Sequence, residues 1–248
     1  MYLLSDHACR LAEGFSFSRP DELLRAVLPR VLDYGRAVTE LPALRMTFAL
    51  NALVALDTAA WLLWAKENGL DFDGLIPENA RPHMRTRHSA LAAIPLITYS
   101  ASEEDVLRET AEGRFFLKIK IGSDPAHDGD PEKMLAWDCA RLTQLHALLR
   151  DVPCAHSADG HIPYYLDANG RYDTPERLER LLDHADRIGM LPRVALLEEP
   201  FPEAAELDVS RFPVRIAADE SAHTASDVLR RIQMGYRAVA LKPIAKTM

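Results

Sequence analysis

Residues 194–200 read Val194-Ala195-Leu196-Leu197-Glu198-Glu199-Pro200, an apolar run that leads into two carboxylates and a proline. A short continuous apolar run is typical of a strand buried on both faces, as the strands of parallel sheets are. The proline ends the strand because its nitrogen has no hydrogen to donate to a neighbour. The sequence therefore predicts an acidic side chain at the carboxyl end of a buried parallel strand, where α/β sheets and barrels place their functional residues.

Two further stretches end in the same way. Tyr164–Asn169 contains Asp167, and Val214–Glu220 contains Asp219. The intervals between Asp167, Glu198 and Asp219 each suit one step from strand to strand. Taken singly, each acid is equally well explained as a solvated loop residue. Together, three converging carboxylates would repel one another unless a cation compensates them, and an all-oxygen ligand set suits Mg²⁺.

Two lysines follow a strand pattern of their own. Residues 116–121 alternate with a period of two, so Lys118 and Lys120 share one face. An ordinary sheet with one solvated face would give the same pattern, but a strand of a parallel barrel has no solvated face. We therefore expect both lysines to point inward, near the acids. Two close ammonium groups beside a divalent cation disfavour each other's charge, and a lysine with a lowered pKa is a competent general base.

A third lysine completes the pattern. Lys242 ends the last predicted strand, directly before Pro243, and offers a cation from the opposite side. Lysines on two sides of a Mg²⁺ site suit removal of the proton from the carbon next to a carboxylate. The metal and the ammonium groups would stabilise the resulting enediolate.

The rest of the chain predicts two long helices and then alternating strands and helices. The helices cover residues 18–36 and about 42–67, and strands are expected near residues 94, 116, 165, 195, 215 and 239. Intervening helices follow Ser102, Asp130, Thr174 and His223, with a short helical piece at Glu203–Leu207. A closed barrel needs eight strands, so the predicted fold class is α/β, an incomplete TIM-type (β/α) barrel of about six parallel strands. A doubly wound open sheet is the alternative, although no Gly-rich phosphate loop follows the first strand.

Composition excludes some classes of partner. The chain has 248 residues, 48% of them hydrophobic and 27% charged, with a net charge of −8. The acidic balance argues against a nucleic-acid-binding surface. Three widely spaced cysteines without a CxxC pair favour a reduced, cytoplasmic compartment. The first fourteen residues lack the features of a signal peptide.

One segment has the length of a membrane span. Residues 46–65 are mostly apolar, but Asn51 and Asp57 lie near the middle. A central aspartate costs roughly 2.5–3.5 kcal/mol on insertion scales. We interpret the segment as a buried helix of a soluble protein, with no membrane partner.

Five short motifs, in this order, resemble those of the enolase superfamily. They are Lys118-Ile119-Lys120, Asp167-Ala168-Asn169, Glu198-Glu199-Pro200, Asp219-Glu220-Ser221 and Lys242-Pro243. The resemblance is closest to the muconate-lactonising subgroup of the mandelate racemase/muconate lactonizing enzyme family, which includes dipeptide epimerases, N-acylamino-acid racemases and o-succinylbenzoate synthases. It covers about residue 42 to the end of the chain.

The resemblance implies roles for the residues in these motifs. Mg²⁺ is bound by Asp167, Glu198 and Asp219. Lys120 is the base on one face of the substrate, Lys118 helps to hold the substrate carboxylate, and Lys242 is the acid or base on the other face. Asn169 and Glu220 are partners of the ligands and lysines.

The implied function is an isomerase, most simply a racemase or epimerase that acts on a small-molecule carboxylate such as an amino-acid or dipeptide derivative. A cycloisomerase, a dehydratase or an o-succinylbenzoate synthase would use the same groups. An inactive fragment is the other alternative, and a homo-oligomeric state stays open.

The sequence also departs from this family. Relatives carry a three-stranded N-terminal meander and eight barrel strands, and they often have Gln where Glu199 stands. We therefore expect a chain truncated at both ends, with residues 1–90 a helical remnant of the capping domain and residues 91–248 a partial barrel that carries the metal site. A cluster at Cys154, His156, Asp159 and His161 has no regular zinc spacing and is interpreted as a polar loop.

Overall fold

The structure is a computed structural model that describes residues 1–71, 74 and 90–241. The chain divides into two compact units. The first unit is helical in its described residues, and the second, Ala90–Ala240, contains a parallel sheet with its helices.

The first unit is built on α1 (Tyr2–Ala12), α2 (Pro20–Thr39) and α3 (Met46–Glu67). Proline at the first position of α2 suits a helix start, because its missing N–H would have no partner there. The two long helices agree with the prediction, whereas α1 was not predicted as a separate element. The three helices share a small apolar core, whose members include Leu4, Ala8, Leu23, Val27, Val31 and Leu53.

Helix α3 differs in part from the buried helix that its sequence predicts. Ala49, Leu53 and Asp57 are buried, but Leu62 and Leu63 are about half exposed at 55% and 50%. The helix is long and apolar enough to cross a membrane, as the core helices of many soluble proteins also are. Several buried residues of α3, among them Ala49, Ala52 and Leu53, belong to the apolar core that it shares with the two neighbouring helices.

The second unit is organised around six parallel strands in the order β1 to β6. Their bounds are β1 (Leu96–Ile97), β2 (Leu117–Lys120), β3 (Tyr164–Asp167), β4 (Val194–Glu198), β5 (Ile216–Ala218) and β6 (Ala238–Val239). Each strand pairs with the next one along the chain. Within the described residues β1 and β6 do not pair with each other, so the sheet is an open arc. The predicted α/β class and the six parallel strands are confirmed.

The helices of this unit begin where polar caps predict them. They are α4 (Glu103–Ala111), α5 (Pro131–Leu149), α6 (Pro175–Arg187) and α7 (Ala225–Gln233). Ser102 and Thr224 each form a capping box, in which the side chain accepts from the third amide of the helix and the acid there accepts in return. Thr174 caps α6 and is followed by a proline. These side chains satisfy amides that have no partner inside the helix.

The predicted helical piece at Glu203–Leu207 is wrong. The structure has a turn at residues 203–204 and irregular backbone after it. The guanidinium of Arg231, buried in α7, donates to the carbonyls of Glu203 (2.6 Å) and Ala205 (2.8 Å). Those carbonyls are therefore engaged by a distant side chain, where a helix would use them to accept from amides four residues on.

The core of the second unit lies between the sheet and its helices. Leu117, Ile119 and Ile121 are fully buried and point toward the helices. They join a larger apolar cluster that includes Leu142, Leu145, Leu149, Leu166, Leu178, Leu181 and Leu197. One face of β2 therefore packs in the core, and its two lysines lie on the other face.

Helix α5 buries one carboxylate in this core. Asp138 is fully buried, and its Oδ2 accepts from the Gly122 amide and the Tyr172 hydroxyl, each at 2.7 Å. Burial raises the pKa of Asp138 from 3.8 to about 6, although the bonds from Tyr172 and Gly122 oppose the increase.

This pKa predicts a pH-dependent stability. Because the folded chain keeps the Asp138 proton to a higher pH than the unfolded chain does, the free energy of unfolding falls as pH rises from about 4 to 6, by about 3 kcal/mol for this group. Urea unfolding of the wild type and of Asp138→Asn at a series of pH values isolates this contribution, because carboxylates with lowered pKa values, such as Glu198, act in the opposite direction in both proteins. In Asp138→Asn the decrease should be smaller by the same amount, and parallel curves for the two proteins would contradict the prediction.

Candidate active site

The three predicted acids lie at one edge of the sheet. Asp167 is the last residue of β3, Glu198 is the last residue of β4, and Asp219 directly follows β5. Asp167 is level with Lys120 on one side and with Glu198 on the other. The side chains of the three acids are almost completely buried, with exposed fractions of 1%, 0% and 0%. Parallel pairing therefore brings the acids together, because the carboxyl ends of parallel strands share an edge.

Both lysines of β2 reach these acids. The Lys118 ammonium donates to Glu198 Oε2 at 2.5 Å and lies 3.0 Å from Asp167 Oδ2. The Lys120 ammonium donates to Asp167 Oδ2 at 2.6 Å and to the side-chain oxygen of Asn169. Each lysine side chain is only 19% exposed. The inward face predicted for the lysines is confirmed, and the alternative of a solvated face is wrong.

The carboxylates and ammonium groups of this cluster shift one another's pKa values. Burial by itself lowers the pKa of Lys118, but the contacts with Glu198 and Asp167 outweigh it and raise the pKa above its usual value. Burial likewise raises the pKa of Glu198, and its bonds with Asp219, Lys118 and Tyr165 reverse this and bring it to about 2. The lowered lysine pKa that the sequence predicts assumes a bound divalent cation; without one, the carboxylates that face the Lys118 ammonium group raise its pKa.

Tyr165 is a member of the site that the sequence prediction missed. Its hydroxyl donates to Glu198 Oε2, and the Lys118 ammonium lies 5.0 Å from the centre of its ring. The ring also stacks on Phe116. Burial and the neighbouring carboxylates raise the pKa of Tyr165, so the hydroxyl stays a donor. The available signal was its position two residues before Asp167, which puts both side chains on one face of β3.

Two other residues shape the loops behind the acids. Glu199 is buried, and its Oε2 accepts from the Asp219 amide at 2.6 Å and from the Ser221 amide and hydroxyl at 3.2 and 2.9 Å. The Asn169 amide group donates to Glu220 Oε1 at 3.2 Å. Both Glu199 (φ 38°) and Asn169 (φ 46°) have left-handed backbone, which is uncommon for residues other than glycine. Asn169 thus links Lys120 to Glu220.

The remaining candidate residues have other partners or lie outside the described residues. Lys242 lies outside the described residues. His156 stacks on Phe115, and the backbone amide of His161 donates to the Asp159 carboxylate. Glu203 and His223 form a pair at 2.8 Å.

The donor set fits a hard divalent cation in its chemistry. Three buried carboxylates supply only oxygen, and the Lys118 ammonium already provides a positive charge between Asp167 and Glu198. Within residues 1–71, 74 and 90–241, no three acidic, histidine or cysteine side chains form a ready-made set of metal ligands. The Lys118 and Lys120 ammonium groups contact two of the three carboxylates, Asp167 and Glu198, and so supply positive charge beside them.

Removal of Lys118 tests this electrostatic role. Lys118→Met leaves Asp167 and Glu198 without the ammonium between them, so we expect the free energy of unfolding without Mg²⁺ to fall by about 3–5 kcal/mol. Added Mg²⁺ should restore part of the loss by mass action. Urea unfolding with EDTA or with Mg²⁺ measures both effects. Lys133→Met, at a lysine 54% exposed on α5, is the matched control and should change little. A Lys118→Met protein as stable as wild type in EDTA would contradict the prediction.

Known proteins resemble this chain in structure. No protein-family model matches the sequence, and no curated protein matches it. A mandelate racemase/muconate lactonizing enzyme from Roseiflexus sp. superimposes with a TM-score of 0.65 at 21% identity over 99% of this chain and 61% of that one. The corresponding protein from Bordetella bronchiseptica RB50 gives 0.59 at 22% over 99% and 61%. A mandelate racemase/muconate lactonizing protein from Paracoccus denitrificans Pd1222 gives 0.58 at 20% over 91% and 55%.

These likenesses establish the fold. The chain spans at most 61% of the length of these three structures. At this level of identity the sequence adds no evidence of a shared activity. The predicted resemblance to this group of proteins is therefore confirmed in the architecture: the chain has part of the fold of these mandelate racemase/muconate lactonizing enzymes.

Proposed function

We propose that this chain carries the centre of a Mg²⁺-dependent isomerase of the enolase superfamily. The reaction is removal of the proton next to a carboxylate, which makes racemisation or epimerisation of an amino-acid or dipeptide derivative the simplest outcome. The observation that supports it best is the pair of lysines on β2 whose ammonium groups contact Asp167 and Glu198 at the ends of the next two strands. Basic groups beside clustered buried carboxylates suit proton transfer at an acidic carbon.

The proposed roles follow the surroundings of each group. Asp167, Glu198 and Asp219 would hold Mg²⁺, which when bound would supply positive charge to the substrate carboxylate. Lys118 would bind that carboxylate as well. Lys120 would take the proton from the α-carbon, with its Nζ kept in place by Asn169 and Asp167.

Groups around this centre support its geometry. Lys242 is proposed to exchange the proton on the opposite face of the substrate. Asn169 and Glu220, which are hydrogen-bonded to each other, would orient the lysines. The hydroxyl of Tyr165 would keep Glu198 in one orientation. Return of the proton to the other face inverts the configuration, whereas return to the same face only exchanges the hydrogen with solvent.

Isotope exchange tests the proposal. The chain is incubated in D₂O with a panel of N-acetylated amino acids and simple dipeptides, with Mg²⁺ or with EDTA, and the α-proton signal is followed by proton NMR. We expect the signal of at least one compound to disappear in the presence of Mg²⁺ only. A cycloisomerase, dehydratase or o-succinylbenzoate synthase would leave these compounds unchanged and would require its own substrate class.

The alternative, a chain that does not catalyse by itself, rests on the open sheet. Among the described residues the edges of β1 and β6 are unpaired, and an unpaired edge weakens a barrel. Titration calorimetry with Mg²⁺ separates the two. Stoichiometric Mg²⁺ binding would count against the inactive alternative, and absence of binding would count against the proposed function.

A further inference from the structure

A carboxylate behind the proposed site connects three of its loops. Asp138 on α5 accepts the Gly122 amide, which lies directly beyond β2, and the Tyr172 hydroxyl, which lies in the loop beyond β3. The Tyr172 amide donates to the carbonyl of Pro200, beyond β4, at 3.0 Å. One buried side chain therefore joins the backbone that follows β2 to the loops that follow β3 and β4.

Each joined position is close in sequence to a residue of the site. Gly122 lies two residues after Lys120, Tyr172 lies three residues after Asn169, and Pro200 lies two residues after Glu198. A second hydrogen bond holds the backbone between Lys120 and Gly122, because the Ile121 amide donates to the Asp167 carbonyl at 2.9 Å. Asp138 therefore holds the backbone just beyond Lys120, and the position of the Lys120 ammonium group depends on that backbone.

The turn after β2 tolerates little change. Gly122 has a φ of 81°, and a Cβ there would lie 2.5 Å from the Cβ of Arg171. The Tyr99 hydroxyl donates to the Ile121 carbonyl at 3.0 Å from the loop after β1. With the backbone fixed on these sides, the Asp138 carboxylate is the acceptor that keeps the Gly122 amide directed toward α5.

We infer that Asp138 is a positioning residue for Lys120, acting through Gly122 and Tyr172. The inference rests on the proposed function for the role of Lys120 in proton transfer, but the contacts themselves do not depend on it. The Gly122 and Tyr172 bonds both end on Oδ2, whereas the Ser123 amide approaches Oδ1 at 3.5 Å. Asp138→Asn with its amide oxygen at the Oδ2 position therefore keeps the two short acceptor contacts and loses only the long one. Asp138→Ala removes both, and Tyr172→Phe removes one.

Two measurements without substrate or metal test this inference. The first is hydrogen exchange of the Gly122 amide, compared with the Gly235 amide, which donates to the carbonyl of Ile232. The second is the rate at which an amine-reactive reagent labels Lys120 relative to Lys118, read by peptide mass spectrometry. In Asp138→Ala we expect Gly122 to exchange at least about 10-fold faster relative to Gly235, and the labelling of Lys120 to rise relative to Lys118. Asp138→Asn should restore both toward wild type.

A matched variant separates positioning from general stability. Tyr164 is as deeply buried as Tyr172, but it is the first residue of β3, at the end of the strand away from Asp167. Its hydroxyl lies 3.1 Å from His146 Nδ1. Tyr164→Phe should leave Gly122 exchange and Lys120 labelling unchanged, whereas Tyr172→Phe should raise both. If Asp138→Ala does not fold, this tyrosine pair decides the question. Equal effects of the two tyrosine variants, or unchanged Gly122 exchange in Tyr172→Phe, would overturn the inference.

The rate of α-proton exchange provides a separate test. Where the wild type exchanges an α-proton, Asp138→Ala should lower kcat with little change in KM, and Asp138→Asn should recover kcat. If the wild type exchanges none, the proposed function fails, while the exchange and labelling results still decide whether Asp138 positions Lys120.

Discussion

Lys120→Ala should abolish exchange of the α-proton with solvent while the chain stays folded. A positioned general base contributes about 10²- to 10⁴-fold to a rate, so we expect a loss of that size. The ammonium of Lys120 contacts Asp167 and Asn169. The Asn169 amide is not a base, and Asp167 is proposed to be occupied as a Mg²⁺ ligand, so we expect neither to replace the lysine. Proton NMR in D₂O, with the compound that the wild type exchanges fastest, measures the loss.

The control for this experiment is an exposed lysine. Lys133→Ala alters a lysine of α5 that pairs with Asp128 at the surface and should keep the wild-type rate. Titration calorimetry should show that Lys120→Ala still binds Mg²⁺, because the three proposed ligands are intact. A Lys120→Ala chain that exchanges the α-proton as fast as wild type would refute the assignment of the base.

Asp167→Asn should have the second largest effect, on Mg²⁺ affinity. Asp167 is proposed as a ligand, and both β2 lysines contact it. Changes to the partners of metal ligands cost 10- to 100-fold in affinity, so loss of a ligand itself should cost at least about 100-fold. The isosteric amide keeps the shape of the side chain, which limits the change to charge and metal binding. Calorimetry with Mg²⁺ measures the affinity.

A surface aspartate provides the comparison. Asp173→Asn removes an aspartate that pairs with Arg177 one loop away from the site, and its Mg²⁺ affinity should match wild type. Equal Mg²⁺ affinity for Asp167→Asn and wild type would remove Asp167 from the proposed ligand set. Weak, equal binding by all three proteins would instead indicate that these residues do not form a metal site.

Local sequence signals were enough to predict the strand ends and helix starts. The apolar run before Glu198 and the proline after it define where β4 ends, and the alternation around Lys118 and Lys120 defines their shared face. Caps such as Ser102 define helix starts. These features depend on residues a few positions apart, and steric and hydrogen-bonding rules for the backbone act at that range.

Contacts between distant elements were decided only by the tertiary structure. The Tyr165 hydroxyl on β3 donates to Glu198 on the neighbouring strand β4. Arg231 donates to carbonyls that a helix at Glu203–Leu207 would have needed as acceptors. Strand register and helix packing determine such pairs, and no local pattern carries that information.

The lysines of β2 also show the difference between what the sequence predicts and what the tertiary structure decides. The alternation in β2 predicted that Lys118 points inward, but the direction of its pKa shift depends on which charges it meets there. Asp167 and Glu198, at the ends of two other strands, raise that pKa. The sequence by itself thus determined that the three acids and the two β2 lysines line the carboxyl edge of the sheet. The three-dimensional packing decided their charge balance, because Coulomb interactions depend on distances between groups far apart along the chain.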